Sequence, residues 1–123
     1  MAVMSTKPQL RPLYLLADSQ LLFWRGQDRL LLEGALDGLP RGTPLSAAYI
    51  GASNGDRPEF YEIFEAAMDA IGITDRRMID SSFGRADQAF LEGAHLIVLA
   101  GGDVRLGWNT FEESGMKEVI LGR

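Results

Sequence analysis

Cysteine is absent from this chain. That excludes a disulfide framework, a thiol nucleophile and any cysteine-ligated metal. Histidine is nearly absent: His95 stands alone, so a histidine-rich zinc site is excluded as well. Positive charge is scarce, with 12 Lys and Arg against 17 Asp and Glu and a net charge of −5. Nucleic-acid binding needs a basic footprint, and the sequence has no basic stripe, only the isolated pair Arg76-Arg77. Long apolar runs are missing too. None approaches the ~20 residues of a membrane-spanning helix, and Met1 to Pro12 lacks the apolar core of a secretory signal. A cytoplasmic protein with no nucleic-acid or membrane partner is expected.

What is present is the composition of one globular domain, with 123 residues, 46% of them apolar and 24% charged. Residues 1–12 read as a flexible lead-in and 13–123 as a single α/β domain. Leu13 to Ala17 is a short apolar run, the first expected strand. Gln27 to Leu36 intersperses Leu30, Leu31, Leu32 and Leu36 with polar residues, which predicts an amphipathic helix. A Gly- and Pro-containing loop follows. Ala47 to Ala52 is the second expected strand. Asp56 is placed to cap the next helix, with Pro58 in the first turn and Glu59 three residues after the cap. Phe60, Ile63, Phe64, Ala67, Met68 and Ile71 then recur at helical spacing until Gly72. Ile73 to Ile79 is a weaker strand. Arg85 to Glu92 predicts a helix with Ala86, Ala89 and Phe90 inward. His95-Leu-Ile-Val-Leu-Ala100 is a continuous apolar run, the pattern of a parallel strand buried on both faces. Gly101-Gly102-Asp103 follows, then a helix to about Ser114 with a last turn or two from Met116 to Leu121.

Strands alternating with helices indicate a mainly parallel sheet covered on both faces. The expected architecture is a three-layer, doubly wound α/β domain of the flavodoxin-like kind. In such sheets ligands bind outside the carboxyl ends of the strands. The turns there are Asp18-Ser19-Gln20, Ser53-Asn54-Gly55-Asp56, Asp80-Ser81-Ser82 and Gly101-Gly102-Asp103. The double glycine is the most pointed of them. One glycine suffices for a turn, and bare N–H groups before a helix favour negative charge. Dinucleotide and phosphate-loop glycine patterns are both missing. A receiver-type phosphorylation domain also fails, since it needs paired acids after the first strand. His95 lies at the amino end of its strand, roughly 20 Å from Gly102 at about 3.3 Å per residue. It is therefore read as structural or solvent-facing, because a catalytic base must reach its nucleophile. Trp24, Trp108 and Phe111 read as core residues, with Trp108 close enough to the glycine turn to line a pocket.

The segment IVLAGGDVRLGW from Ile97 to Trp108 resembles the serine peptidase family that contains dipeptidase E (aspartyl dipeptidase) and cyanophycinase. AAYIGASNGD and FYEIFEAAMDAIGI match that family's layout, and the resemblance spans Leu13 to Leu121. It implies a class I glutamine amidotransferase-like fold and peptide-bond hydrolysis through an acyl-enzyme, with no metal or cofactor. It assigns the Gly102 N–H to the oxyanion hole, where one such donor is worth about 100- to 1,000-fold in rate. Gly101 and Asp103, with Ser19, Ser53 and Asn54 from neighbouring turns, are the expected substrate-binding residues, for a peptide or dipeptide. The family's nucleophilic serine lies in a Gly-x-Ser-Ala-Gly turn, expected beyond Arg123, and its histidine partner is also downstream. No serine within the chain has the strand–turn–helix setting of a nucleophile elbow. The chain is thus expected to be the N-terminal part of such a peptidase and inactive alone. The alternative is a non-catalytic module that binds a small anion on the same fold. An unpaired apolar edge on the fourth strand would also favour self-association.

Overall fold

The computed structural model of the chain describes residues 22–23, 25–26, 28–39 and 42–122. The expected first strand, Leu13 to Ala17, lies outside these residues, as do Ser19 and Trp24. At the centre of the fold is a three-stranded parallel sheet. Three further pieces define it: β3 (Ser46–Ile50), β4 (Asp75–Ile79) and β5 (Leu96–Leu99), in the order β4-β3-β5. A two-residue hairpin of β1 (Arg25–Gly26) and β2 (Arg29–Leu30) precedes it. Tyr49 pairs with Met78 on one side and with Val98 on the other. All five residues of β3 are buried, as befits a central strand.

Alternation along β3 builds two cores. Ala47 and Tyr49 face helix α1 (Pro58–Ile71), meeting Phe64, Ala67 and Met68. Ala48 and Ile50 face the other way, toward Leu91 of α2 (Arg85–Gly93) and Met116 of α4 (Met116–Leu121). Phe111 of α3 (Val104–Ser114) joins that second core. Helices therefore cover both faces of the sheet. The crossover from β3 to β4 runs over one face, and the crossover from β4 to β5 runs over the other.

The periodic helix forms as its sequence dictates. Pro58 enters at the first turn, where no intrahelical N–H is needed. Gly72 ends it at φ 81°, and the Gly72 and Ile73 N–H groups close onto the carbonyls of Asp69 and Met68. Gly115 ends α3 in the same way, at φ 88°.

Five expectations need correction. Of the expected helix from Gln27 to Leu36, the described residues 28–36 are not α-helical. Asp28 takes a left-handed φ of 65° and turns the chain into the small hairpin, and Leu31–Leu36 is 3-10 helix. Gly34 inside the run lowers the α-helical preference, and burial of Leu30 and Leu32 decides the local path. Asp56 does not cap α1; Arg57 occupies the cap position with no side-chain bond. Asp56 is itself left-handed (φ 58°), and its carboxylate accepts from the Ser81 N–H at 2.9 Å. On α2 the buried residues are Asp87 and Leu91, while Ala86 and Ala89 are exposed; Phe90 is half-buried and packs inward on the second core, as expected. The Arg77 guanidinium on β4 donates to the buried Asp87 at 2.7 Å, a partner that lets this carboxylate face the sheet. β5 is not buried on both faces. Its outer edge pairs with no described strand, and Leu99 is 51% exposed. Trp108 is likewise half-exposed rather than core.

Among the described residues no helix is long and apolar enough to cross a membrane.

Candidate functional site at the glycine turn

β3 and β5 are neighbours, and the segments that follow them part to opposite faces: α1 on one, α3 on the other. This is the arrangement that opens a crevice at the carboxyl end of a parallel sheet. The two turns that meet there are Ala52–Asn54, a single 3-10 turn after β3, and Gly101-Gly102-Asp103 after β5.

Their contact is close and built from backbone. The Ala100 N–H extends the ladder to the Ile50 carbonyl at 2.9 Å, and the Asp103 N–H donates to the Ser53 carbonyl at 2.7 Å. Between these bonds Gly102 adopts φ 150°, a conformation that residues with a Cβ rarely take. A Cβ added there would stand 2.6 Å from the Ser53 carbonyl carbon and collide with its oxygen. Gly107, one turn into α3, lies so close to the Ser53 side chain that a Cβ would strike its hydroxyl. Gly102 and Gly107 thus seat α3 on Ser53.

Each remaining site residue has a definite place. Asp103 caps α3, its Oδ1 accepting from the Leu106 N–H at 3.0 Å. Asn54 is engaged at both ends of its amide. Its Nδ2 donates to the Tyr49 hydroxyl at 3.2 Å, and its Oδ1 accepts from the Arg57 N–H at 3.1 Å. Burial pushes the Tyr49 hydroxyl above its ordinary pKa, opposed by the Asn54 hydrogen bond and reinforced by the Asp56 charge. Asn54 and Tyr49 therefore fix the β3 turn in place. Gly101 is exposed, with open space where a Cβ would go. Neither Gly101 nor Gly102 has its N–H bonded to a described residue.

A cavity of about 210 Å³ lies beside this turn. Both glycines line it, and its walls are otherwise mostly apolar: Leu99, Val104, Trp108 and Phe111. Ser53 supplies the one side-chain hydroxyl of the lining. The Lys117 ammonium sits over the Trp108 ring, 5.0 Å from its centre, and is not part of the lining. A larger hollow, about 480 Å³, opens between Arg29, Asp37, Leu45 and Ile71, beside the amino end of β3.

The rest of the sequence-derived residues divide cleanly. His95 is structural. Its Nδ1 accepts from the Ser46 N–H at 3.1 Å, and its own N–H donates to the Ser46 carbonyl at 3.0 Å. It ties the amino end of β5 to β3, at the opposite end of the strand from Gly102. Ser81 and Asp80 lie in the β4 turn, where Asp80 accepts from the Ser82 N–H at 2.8 Å. That bond, first of the causes, holds the Asp80 carboxyl below its ordinary 3.8. Trp108 and Phe111 enter the site through helical spacing, and the exposed Leu99 and Val104 were not anticipated. Their signal was an apolar residue on each side of the glycines. Among the described residues no group of His, Cys, Asp or Glu could hold a metal ion.

Chemically the site offers two unengaged backbone N–H groups beside an apolar hollow. The described residues bring no hydroxyl–imidazole pair to it. No protein-family profile, curated protein or solved structure matches this chain.

Proposed function

We propose that this chain is the N-terminal part of a serine-type peptidase resembling dipeptidase E and cyanophycinase, on a flavodoxin-like, class I glutamine amidotransferase-like fold. Gly102 carries the reading. A glycine-only backbone is held rigidly against the Ser53 carbonyl at the carboxyl end of β5, with its N–H unengaged. Such a preorganised donor stabilises the oxyanion of a tetrahedral intermediate without reorganising during the reaction. The nucleophilic serine and its histidine come from sequence downstream of Arg123: the serine oxygen attacks a carbonyl seated over the glycine turn while the histidine takes its proton and then passes it to the leaving amine. Loss of the leaving amine gives an acyl-enzyme, which water hydrolyses.

Supporting features are the parallel sheet with helices on both faces and the position of the turn between strands whose helices diverge. The distance of His95 from the turn fits a base supplied from elsewhere. A non-catalytic module that binds a small anion is the second reading. Among the described residues the lack of a hydroxyl–imidazole pair favours it, while the Asp103 carboxylate beside the turn and a lining without a cation oppose it.

The test is the reading frame beyond Arg123 together with the activity of its product. Gly-x-Ser-Ala-Gly shortly downstream is expected, as is hydrolysis across a dipeptide panel that includes aspartyl dipeptides. Replacing that serine should abolish turnover. A stop codon directly after Arg123, or turnover by the 123-residue chain alone, would sink the proposal.

A further inference from the structure

The cavity beside the glycine turn has a chemistry of its own. It is walled by Leu99, Val104, Trp108 and Phe111, and its polar contacts are the Gly101 and Gly102 backbone and the Ser53 hydroxyl. An acidic side chain entering it would find no arginine, lysine or histidine among the described residues of the wall. It would also lie near the Asp103 carboxylate, whose Oδ1 is already engaged with Leu106. An ionised group moved into an apolar site without a partner is strongly disfavoured. An uncharged apolar group faces the opposite balance. The wall keeps Val104 82% and Trp108 48% exposed, so covering them removes apolar surface from water. Size agrees, since apolar cavities of ~150 Å³ admit a benzene ring and this one measures about 210 Å³.

We infer that this cavity receives an uncharged aromatic or large aliphatic side chain of an acyl compound whose carbonyl lies on the glycine N–H groups. The inference rests on the proposed hydrolase reading and gives it a substrate class: a neutral peptide with a hydrophobic residue at the scissile carbonyl rather than aspartate. The carbonyl oxygen accepts from the glycine turn, and the ring stacks within reach of Trp108. The Lys117 ammonium lies on the Trp108 ring, 5.0 Å from its centre, and is not among the described lining residues.

The experiment, which needs no catalysis, is an NMR titration of the uniformly ¹⁵N-labelled 123-residue chain, kept dilute enough that sedimentation shows a monomer so that the β5 edge and Leu99 stay free. The probes are N-acetyl-phenylalaninamide and the α-amide of N-acetyl-aspartate, which has the same amides and adds a carboxylate. Saturable shifts of the Gly101 and Gly102 amides and the Trp108 indole are expected with the neutral probe. Its affinity should be at least roughly tenfold above that for the acidic probe, the usual worth of one apolar group in a fitted pocket. Val104→Asp, at an exposed first-turn position where an acid suits the helix, should abolish those shifts while leaving the remaining spectrum in place. Equal or tighter binding of the aspartate probe would overturn the inference, as would the absence of shifts at the turn with the neutral probe. The result is separable from that of the hydrolase reading. Aspartate preference beside a downstream nucleophile removes only the substrate class, and neutral binding with no nucleophile downstream removes only the hydrolase.

Discussion

Replacing Gly102 by alanine, with Gly101→Ala as its neighbour control, isolates one backbone conformation. At Gly102 the added methyl meets two penalties. The φ of 150° is a glycine region, and holding another residue there costs of order 1–3 kcal/mol. The methyl also overlaps the Ser53 carbonyl, and forcing an extra carbon into a filled space typically costs 1–3 kcal/mol more. Relief requires the turn to lift from Ser53, which breaks the 2.7 Å bond from the Asp103 N–H. A destabilisation of about 2–5 kcal/mol follows. Gly101 has no positive φ and nothing within 4 Å of an added Cβ, so its alanine variant should stay within about 0.5 kcal/mol of the parent. Urea unfolding followed by circular dichroism reads both. With a slope of roughly 1–3 kcal/mol per molar urea, Gly102→Ala should lower the midpoint by about 1 M or more, or leave the chain unfolded. Equal midpoints for the two variants would refute the claim that this turn is glycine-specific.

Asp103→Ala removes the cap on α3 and should cost about 1 kcal/mol, with Asp103→Asn restoring most of it; thermal unfolding measures both. Asp80 is held below its ordinary carboxyl pKa of 3.8 by the Ser82 N–H. Its contribution to stability is therefore present above pH 4 and is lost as pH falls through the depressed folded value. Asp80→Asn should flatten the urea midpoint between pH 4 and pH 2.5 relative to the parent, and an unchanged slope would contradict this. The outer edge of β5 carries no charge or proline to discourage another strand. The 123-residue chain is expected to self-associate, and Leu99→Lys should reverse this. A clean monomer at high concentration in the analytical ultracentrifuge would count against it.

Much of the local structure was legible because it follows from short-range rules. Phe60 to Ile71 repeats apolar residues at helical spacing and stops at Gly72, and the helix and its left-handed end are where that pattern puts them. The apolar runs at Ala47 and Leu96 are strands, because such runs between polar turns have few other ways to be buried. The glycine pair marked the turn that meets another segment at closest approach. Where neighbours decided, sequence reading went astray. Leu30 to Leu36 has too many leucines on too many sides to select one helix face. The hairpin at Asp28 and the buried positions of Leu30 and Leu32 choose the path. Asp56 carries the local pattern of a helix cap, yet its carboxylate goes to Ser81 on the next strand's turn, 25 residues away. Asp87 looks like a surface residue of α2 until Arg77 is placed beneath it.

Composition and periodicity by themselves determined the α/β alternation and the parallel strands. Those features depend on residues within a few positions of one another. The strand order, with β3 between β4 and β5, depended on the whole chain, and so did the divergence of α1 and α3 to opposite faces. Only that packing brings Ser53 against Gly102 and Gly107. It converts Gly102 from permissive to required, and it leaves Leu99, Val104 and Trp108 around a hollow that no single segment encodes.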